Sequence, residues 1–270
     1  MPESDAESNE FYRRSMELLR AAGVPFLLGG AYAFCVYTRI ARHTKDFDLF
    51  VRRNDFDSAL EVLRENGCRT ERTFPHWLGK AFAAGDSIDL IFRAGNGLCA
   101  VDDLWFQRAI EAEVLGLRVP LSPPEEMIWM KAYIMERERY DGADVAHLIR
   151  HCAVQMDWEH LLRRFGPDWP VLLSHLILFG YIYPAEKSRV PNDILQKLLG
   201  RLDEAEDALG DSPLCRGTLL SRAQFLPDIT SGGLRDARLD PRTGLTEKEV
   251  DSWSAAAEEH VKPHAVAQGN

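Results

Sequence analysis

The 270-residue sequence has no hydrophobic run long enough to span a bilayer. Its longest, residues 171–182, is interrupted by Ser174, His175 and Gly180, and a spanning helix needs roughly 20 apolar residues. It has no CxxC pair. The five cysteines, Cys35, Cys68, Cys99, Cys152 and Cys215, are isolated and odd in number, so reduced, buried thiols are expected rather than a disulfide framework or a zinc site. It has no surplus of positive charge. A net charge of −10 argues against a broad nucleic-acid-coating surface, although a local basic patch could still accept RNA as a substrate. There is no internal repeat, and the acidic, polar opening MPESDAESNEFYRR is unlike a secretory or transit signal. A cytoplasmic protein with no membrane attachment is expected.

What is there is a globular composition, 46% hydrophobic and 27% charged, in a chain long enough for one or two domains. Phe11, Met16, Leu18, Leu19 and Ala22 form a helical stripe over residues 8–22, ended by Gly23 and Pro25. Residues 26–28 read as a short strand running into Gly29-Gly30, 31–40 as a helix, and 47–51 as the next strand. Asn54 is the expected cap of a helix over 55–66, with Phe56, Leu60 and Leu63 on one face and Gly67 past its end. Segments 77–83 and 87–92 form a hairpin around Ala84-Gly85-Asp86. A helix is predicted over 102–113 and an extended piece over 114–121.

Beyond Leu121 the texture becomes helical. Ser122-Pro123-Pro124-Glu125 is a strong helix start. Helices are predicted over 123–139, 141–152, 158–165, 169–181 and 193–209, then an irregular arm over 224–246 and a last helix over 247–261. The fold class expected is α+β: a small mixed β-sheet flanked by helices over 1–121, followed by an all-helical C-terminal domain with an irregular arm over 122–270.

The chemistry is expected where acids interrupt apolar strands. In Asp46-Phe47-Asp48-Leu49-Phe50 the two carboxylates share one face, roughly 7 Å apart, while Phe47 and Leu49 point inward. A third acid recurs in Ile88-Asp89-Leu90-Ile91. Like charges so close destabilise one another unless a cation sits between them. An all-oxygen set of Asp46, Asp48 and Asp89 suits Mg²⁺ or Mn²⁺, and three carboxylates can hold two such ions for in-line displacement at phosphorus. Gly29-Gly30 fits as a phosphate cradle at the start of a helix.

With Leu28-Gly29-Gly30, Asp46-Phe47-Asp48-Leu49 and Asp89, the chain resembles the nucleotidyltransferase superfamily of the DNA polymerase β type. Arg42-x-Thr44-Lys45-Asp46 and the downstream Ser122-Pro123-Pro124-Glu125, Lys131, Arg139-Tyr140-Asp141 and Asp144 look like its AbiEii-type, minimal branch. The likeness covers roughly residues 24–150. It implies that Asp46 and Asp48 bind both metals and that Asp89 binds the catalytic one and acts as general base. It also implies that Arg42, Thr44 and Lys131 meet the nucleotide phosphates. The reaction implied is transfer of an NMP from an NTP to an acceptor hydroxyl, on tRNA, protein or a small molecule, with release of pyrophosphate.

Other readings stand beside these. The chain could be a non-catalytic nucleotide-binding module, or one half of a toxin–antitoxin pair with a protein partner on the helical tail. Lys131 and Arg139 could simply face solvent or pair with Glu136 and Glu138. Asp141 and Asp144 could serve only the first turn of a helix. His43 could contact substrate or solvent. His147 and His151 have the spacing of a zinc pair but no glutamate base between them, so ordinary histidines are expected.

Overall fold

The computed structural model describes residues 6–42, 44, 46–83, 85–205 and 213–261. The first half runs α1 (Ala6–Ala21), β1 (Leu27–Leu28), α2 (Gly30–Thr38), β2 (Asp48–Phe50), α3 (Arg53–Glu65), β3 (Arg69–Phe74), β4 (Leu78–Ala83), β5 (Asp86–Ile91), α4 (Asp103–Gln107), β6 (Ile110–Val114) and β7 (Leu117–Leu121). The second half is helical: α5 (Pro124–Ala132), α6 (Gly142–Cys152), α7 (Trp158–Phe165), α8 (Trp169–Ile182) and α9 (Asn192–Ala205). Then come β8 (Leu214–Cys215), α10 (Leu226–Thr230), β9 (Arg235–Asp236) and α11 (Glu247–Val261). Among the described residues no helix is long and apolar enough to cross a membrane.

Period-two alternation organises the sheet. The seven strands lie in the order β3-β4-β5-β2-β1-β7-β6, with β2–β5 and β1–β7 parallel and the other pairs antiparallel. Leu28, Leu49 and Leu90 fall in one register row and enter the main core. Leu27, Phe50 and Ile91 fall in the next row and enter a smaller cluster on the opposite face, closed by Val101 and Trp105. Both faces of the central strands are therefore buried, which is why these runs are almost continuously apolar. On the main face Tyr12 stacks on Phe47 at 4.3 Å between ring centroids. The same cluster of buried side chains continues without a break through Met127, Ile128, Val145, Leu148, Leu161, Phe165 and Leu172 into the helical region.

Several elements differ from the sequence-based expectation. The helix predicted over 102–113 stops at Gln107. Asp102 caps it, its Oδ1 accepting the Leu104 N–H at 3.0 Å, and Ile110–Val114 instead becomes the edge partner of β7 across the Gly116 turn. Hairpin pairing overrode a local pattern that suited either state. The helix predicted over 123–139 ends at Ala132: Met135 bridges Tyr140, and the Asp141 N–H reaches the Ile134 carbonyl at 3.1 Å. Pro123 rather than Ser122 precedes α5, and Arg52 rather than Asn54 precedes α3. Strand β3 carries no strand pattern in the sequence, because Arg69–Phe74 has no buried residue to alternate. The arm over 224–246 is ordered by the fully buried Arg238, whose guanidinium donates to Asp236 and to Ser254 Oγ.

Candidate active site

The register of four segments builds a transverse row of functional groups. Asp48 on β2 pairs with Asp89 on β5, Asp89 pairs with Lys80 on β4, and the Gly29 N–H donates to the Asp48 carbonyl at 3.0 Å. The row thus reads Lys80, Asp89, Asp48, Gly29, with adjacent strands roughly 4.8 Å apart. The ladder continues through Phe47, whose carbonyl accepts the Asp89 N–H at 2.9 Å. Asp46 lies two residues before Asp48, exposed in the lead-in to β2. Thr44 shapes that lead-in: its hydroxyl oxygen accepts the Asp46 N–H at 3.0 Å.

Gly30 opens α2 with a φ of 51°, and a Cβ built on it would lie 1.7 Å from Asp48 Oδ2. Only glycine lets the helix start this close to the carboxylate. A Cβ on Gly29 would strike the Phe50 ring at 2.1 Å, so the pair is dictated by close approach on both sides of the sheet. The N-terminus of α2 carries no acid in its first turn, which leaves its unpaired N–H groups and positive dipole end available to an anion.

Asp48 receives no hydrogen bond or ion pair on its carboxylate among the described residues. Burial first, then the like charges of Asp89 and Asp46, push its carboxyl up to about 7, against the pull of Lys131 and Arg139. Burial also raises Asp89, opposed by Lys80, whose Nζ donates to Asp89 Oδ1 at 2.7 Å. Lys80 was missed in the sequence. The signal was present: once Ala83 pairs with Asp86, counting back three residues puts Lys80 opposite Asp89.

The cationic side of the site comes from the helical region and from Arg42, between α2 and β2. Lys131 Nζ lies 2.8 Å from Asp141 Oδ2 and 2.7 Å from Asp144 Oδ2. Arg139 grips Asp141 with Nε and an Nη, at 2.9 and 3.0 Å. Arg42 pairs with Asp144 and lies over the Phe34 ring, 4.1 Å from its centroid. Asp141, just before α6, and Asp144, in its first turn, therefore also order three cations, so Lys131 and Arg139 are neither simply solvated nor paired with Glu138. Asp141 feels burial, which raises it, but the hydrogen bond from Arg139 and the charges of Lys131 and Arg139 hold it at about 2. His43 and Lys45 lie outside the described residues.

The donor set can be tested against a divalent cation. Asp46, Asp48 and Asp89 are hard oxygen donors, Asp48 has no cation in contact among the described residues, and a bound cation would relieve both its burial and the like charges of Asp89 and Asp46. Among the described residues, however, no three His, Cys, Asp or Glu side chains stand within reach of a single ion. Asp89 is drawn to Lys80 and Asp46 sits outside the strand. The chemistry of the donors fits a cation, while their present rotamers do not form a closed cage.

No curated protein sequence matches the chain. Among solved structures, the antibiotic-resistance factor ANT(2'')-Ia in solution is 16% identical with a TM-score of 0.45, covering 64% of this chain and 98% of that one. The lincosamide antibiotic adenylyltransferase LnuA, lincomycin-bound, is 14% identical with a TM-score of 0.39, covering 54% and 98%. An antigenic nucleotidyltransferase-like protein from Paracoccidioides brasiliensis is 16% identical with a TM-score of 0.37, covering 64% and 93%. The family described as "uncharacterised nucleotidyltransferase" matches residues 11–166, a span that holds the whole row from Gly29 to Asp89 and the Lys131–Asp144 cluster, and the chain belongs to that nucleotidyltransferase family.

Proposed function

We propose that this transferase moves an NMP from an NTP to an acceptor hydroxyl in a divalent-metal-dependent reaction, releasing pyrophosphate. The observation that carries the reading is the row that sets Asp48 and Asp89 side by side, with the N-terminus of α2 against Asp48. Asp46, Asp48 and Asp89 would hold Mg²⁺ or Mn²⁺, two ions in all, which when bound neutralise phosphate charge and favour the attacking hydroxyl.

The chain's own groups divide the remaining work. Gly29 and Gly30 leave room for phosphate oxygens and direct the helix N–H groups at them. Lys131, Arg139 and Arg42 form a cationic wall that neutralises the triphosphate, and Thr44 shapes the approach to Asp46. Asp89 takes the proton of the acceptor hydroxyl as its oxygen bonds to the α-phosphorus. The bond from that phosphorus to the bridging oxygen breaks, and pyrophosphate leaves with the electron pair. Lys80 keeps the Asp89 carboxylate oriented until substrate arrives. The motif around Arg42 and Asp46 supports the AbiEii-like branch, and five free cysteines support a reducing, cytoplasmic setting.

The test is an acceptor screen. The full chain, incubated with Mg²⁺ or Mn²⁺ and each labelled NTP, is offered tRNA, protein and aminoglycosides. Pyrophosphate release with label on one acceptor class is expected, and Asp46→Asn abolishes both. Unchanged turnover in Asp46→Asn would refute the metal assignment. Nucleotide binding without pyrophosphate release from any acceptor would instead favour a binding module.

A further inference from the structure

We propose that the C-terminal arm, residues 213–261, is a clamp that positions the Arg139 turn for nucleotide binding. This inference rests on the reading of the site given above. The arm lies wholly outside the family match, which ends at residue 166.

The turn between α5 and α6 leaves the core at the buried Tyr133 and is polar at its tip, where Arg137 and Glu138 are exposed. The arm supplies the hold. Met135 donates its N–H to the Leu220 carbonyl at 3.1 Å, and its own carbonyl accepts from Gln224 Nε2 at 3.1 Å. The Glu136 carboxylate accepts from Ser221 Oγ at 2.6 Å, from the Arg222 N–H at 3.1 Å and from Arg222 Nε at 3.0 Å. On its inner side the same turn is closed by Glu136 N–H to the Arg139 carbonyl at 2.8 Å. Arg139 is therefore held at two points: its carbonyl by the N–H of Glu136, whose carboxylate the arm grips, and its guanidinium by Asp141, which Lys131 also grips.

The arm is itself fixed to the rest of the molecule. Asn96 Nδ2 donates to the Leu219 carbonyl at 2.9 Å, Arg242 pairs with Asp168 at 3.0 Å, and Trp253 meets the His76 ring edge-on, 6.3 Å between centroids. A guanidinium whose side chain is 65% exposed has many rotamers to lose when it meets a phosphate. Ordering its backbone in advance leaves only the side chain to be placed on binding. The arm's contacts with the turn run through backbone groups and a carboxylate, whose directional hydrogen bonds fix position.

The test uses the full chain, with equilibrium binding of each of the four ribonucleoside triphosphates in Mg²⁺ and amide hydrogen exchange of the unliganded protein. Arg139→Ala should weaken binding about tenfold, the size of one lost charge-assisted hydrogen bond. Glu136→Gln and Arg222→Ala should each weaken it by about three- to tenfold and speed exchange over residues 134–141, whereas Arg222→Lys should bind close to the wild type. Adding Glu136→Gln to Arg139→Ala should weaken binding no further, since the clamp acts through Arg139. The clamp is overturned if Arg139→Ala loses affinity while Glu136→Gln and Arg222→Ala bind as the wild type, or if the losses add in the double variant. Unchanged affinity in Arg139→Ala would refute the cationic wall itself, and with it the purpose assigned to the clamp.

Discussion

Gly30 and Asp48 are in such close approach that a single methyl group on Gly30 would lie 1.7 Å from Asp48 Oδ2. The turn that starts α2 and the carboxylate that faces it are one unit. Gly30→Ala displaces that carboxylate or the helix start, and a displacement near 1 Å can lower catalysis about a hundredfold. Gly23, at φ 70° with nothing within 4 Å of an added Cβ, is the control. Gly23→Ala should lose only about 1 kcal/mol of stability from backbone strain and keep its activity. Turnover and denaturant midpoints of the two variants separate the effects.

Lys80 and Asp89 should behave as a coupled pair. Their side chains are 24% and 14% exposed, so removing either partner leaves a mostly buried charge, at a cost of about 1–3 kcal/mol. Lys80→Met and Asp89→Asn should each destabilise in urea, and the double variant should lose less than the sum, with a coupling of about 1–2 kcal/mol. Strict additivity would show that the contact carries no energy.

A second network joins the head to the helical region. Glu126 is fully buried and accepts from His160 at 2.7 Å and from Arg164, which also forks onto Asp102 at 2.6 and 2.7 Å. Arg164→Met strands the Glu126 charge and should cost about 3–5 kcal/mol. Arg13, whose partners Glu10 and Glu17 are exposed on α1, offers the contrast: Arg13→Ala should change stability by less than about 1 kcal/mol. Chemical denaturation at matched pH and salt measures both.

Asp141 sets a pH dependence. Its folded-state carboxyl lies at about 2, below an unfolded value near 3.9. A depressed acid adds stability above its unfolded pKa, and that stability is lost as pH falls through the folded value. The wild type should therefore exceed Asp141→Asn by about 2 kcal/mol near neutrality, with the gap closing between about pH 4 and 2. Denaturant titrations of both proteins across that range check the sign: a gap that stays constant removes Asp141 as its cause.

Much of the site could be read locally. Acids at Asp46, Asp48 and Asp89 stood out because their neighbours Phe47, Leu49, Ile88 and Leu90 are apolar at a spacing of two, and all four are fully buried. Gly29-Gly30 was legible because glycine pairs mark close approach. Helix ends are less legible in the sequence. Helices over 102–113 and 123–139 were overestimated because local propensity cannot register that residues 110–114 find a strand partner or that Met135 gives its N–H to Leu220.

By itself, then, the sequence determined the mixed sheet, the helical second half and the three carboxylates, since these follow from periodicities of two and 3.6 within a few residues. Tertiary structure decided which cation meets which acid. Lys80 on Asp89, Lys131 on Asp141 and Asp144, Arg42 on Asp144 and Arg222 on Glu136 follow from strand register and helix docking. Except for Lys80, which a nearby hairpin turn aligns, these pairings depend on how distant segments share one core, and no local pattern encodes that.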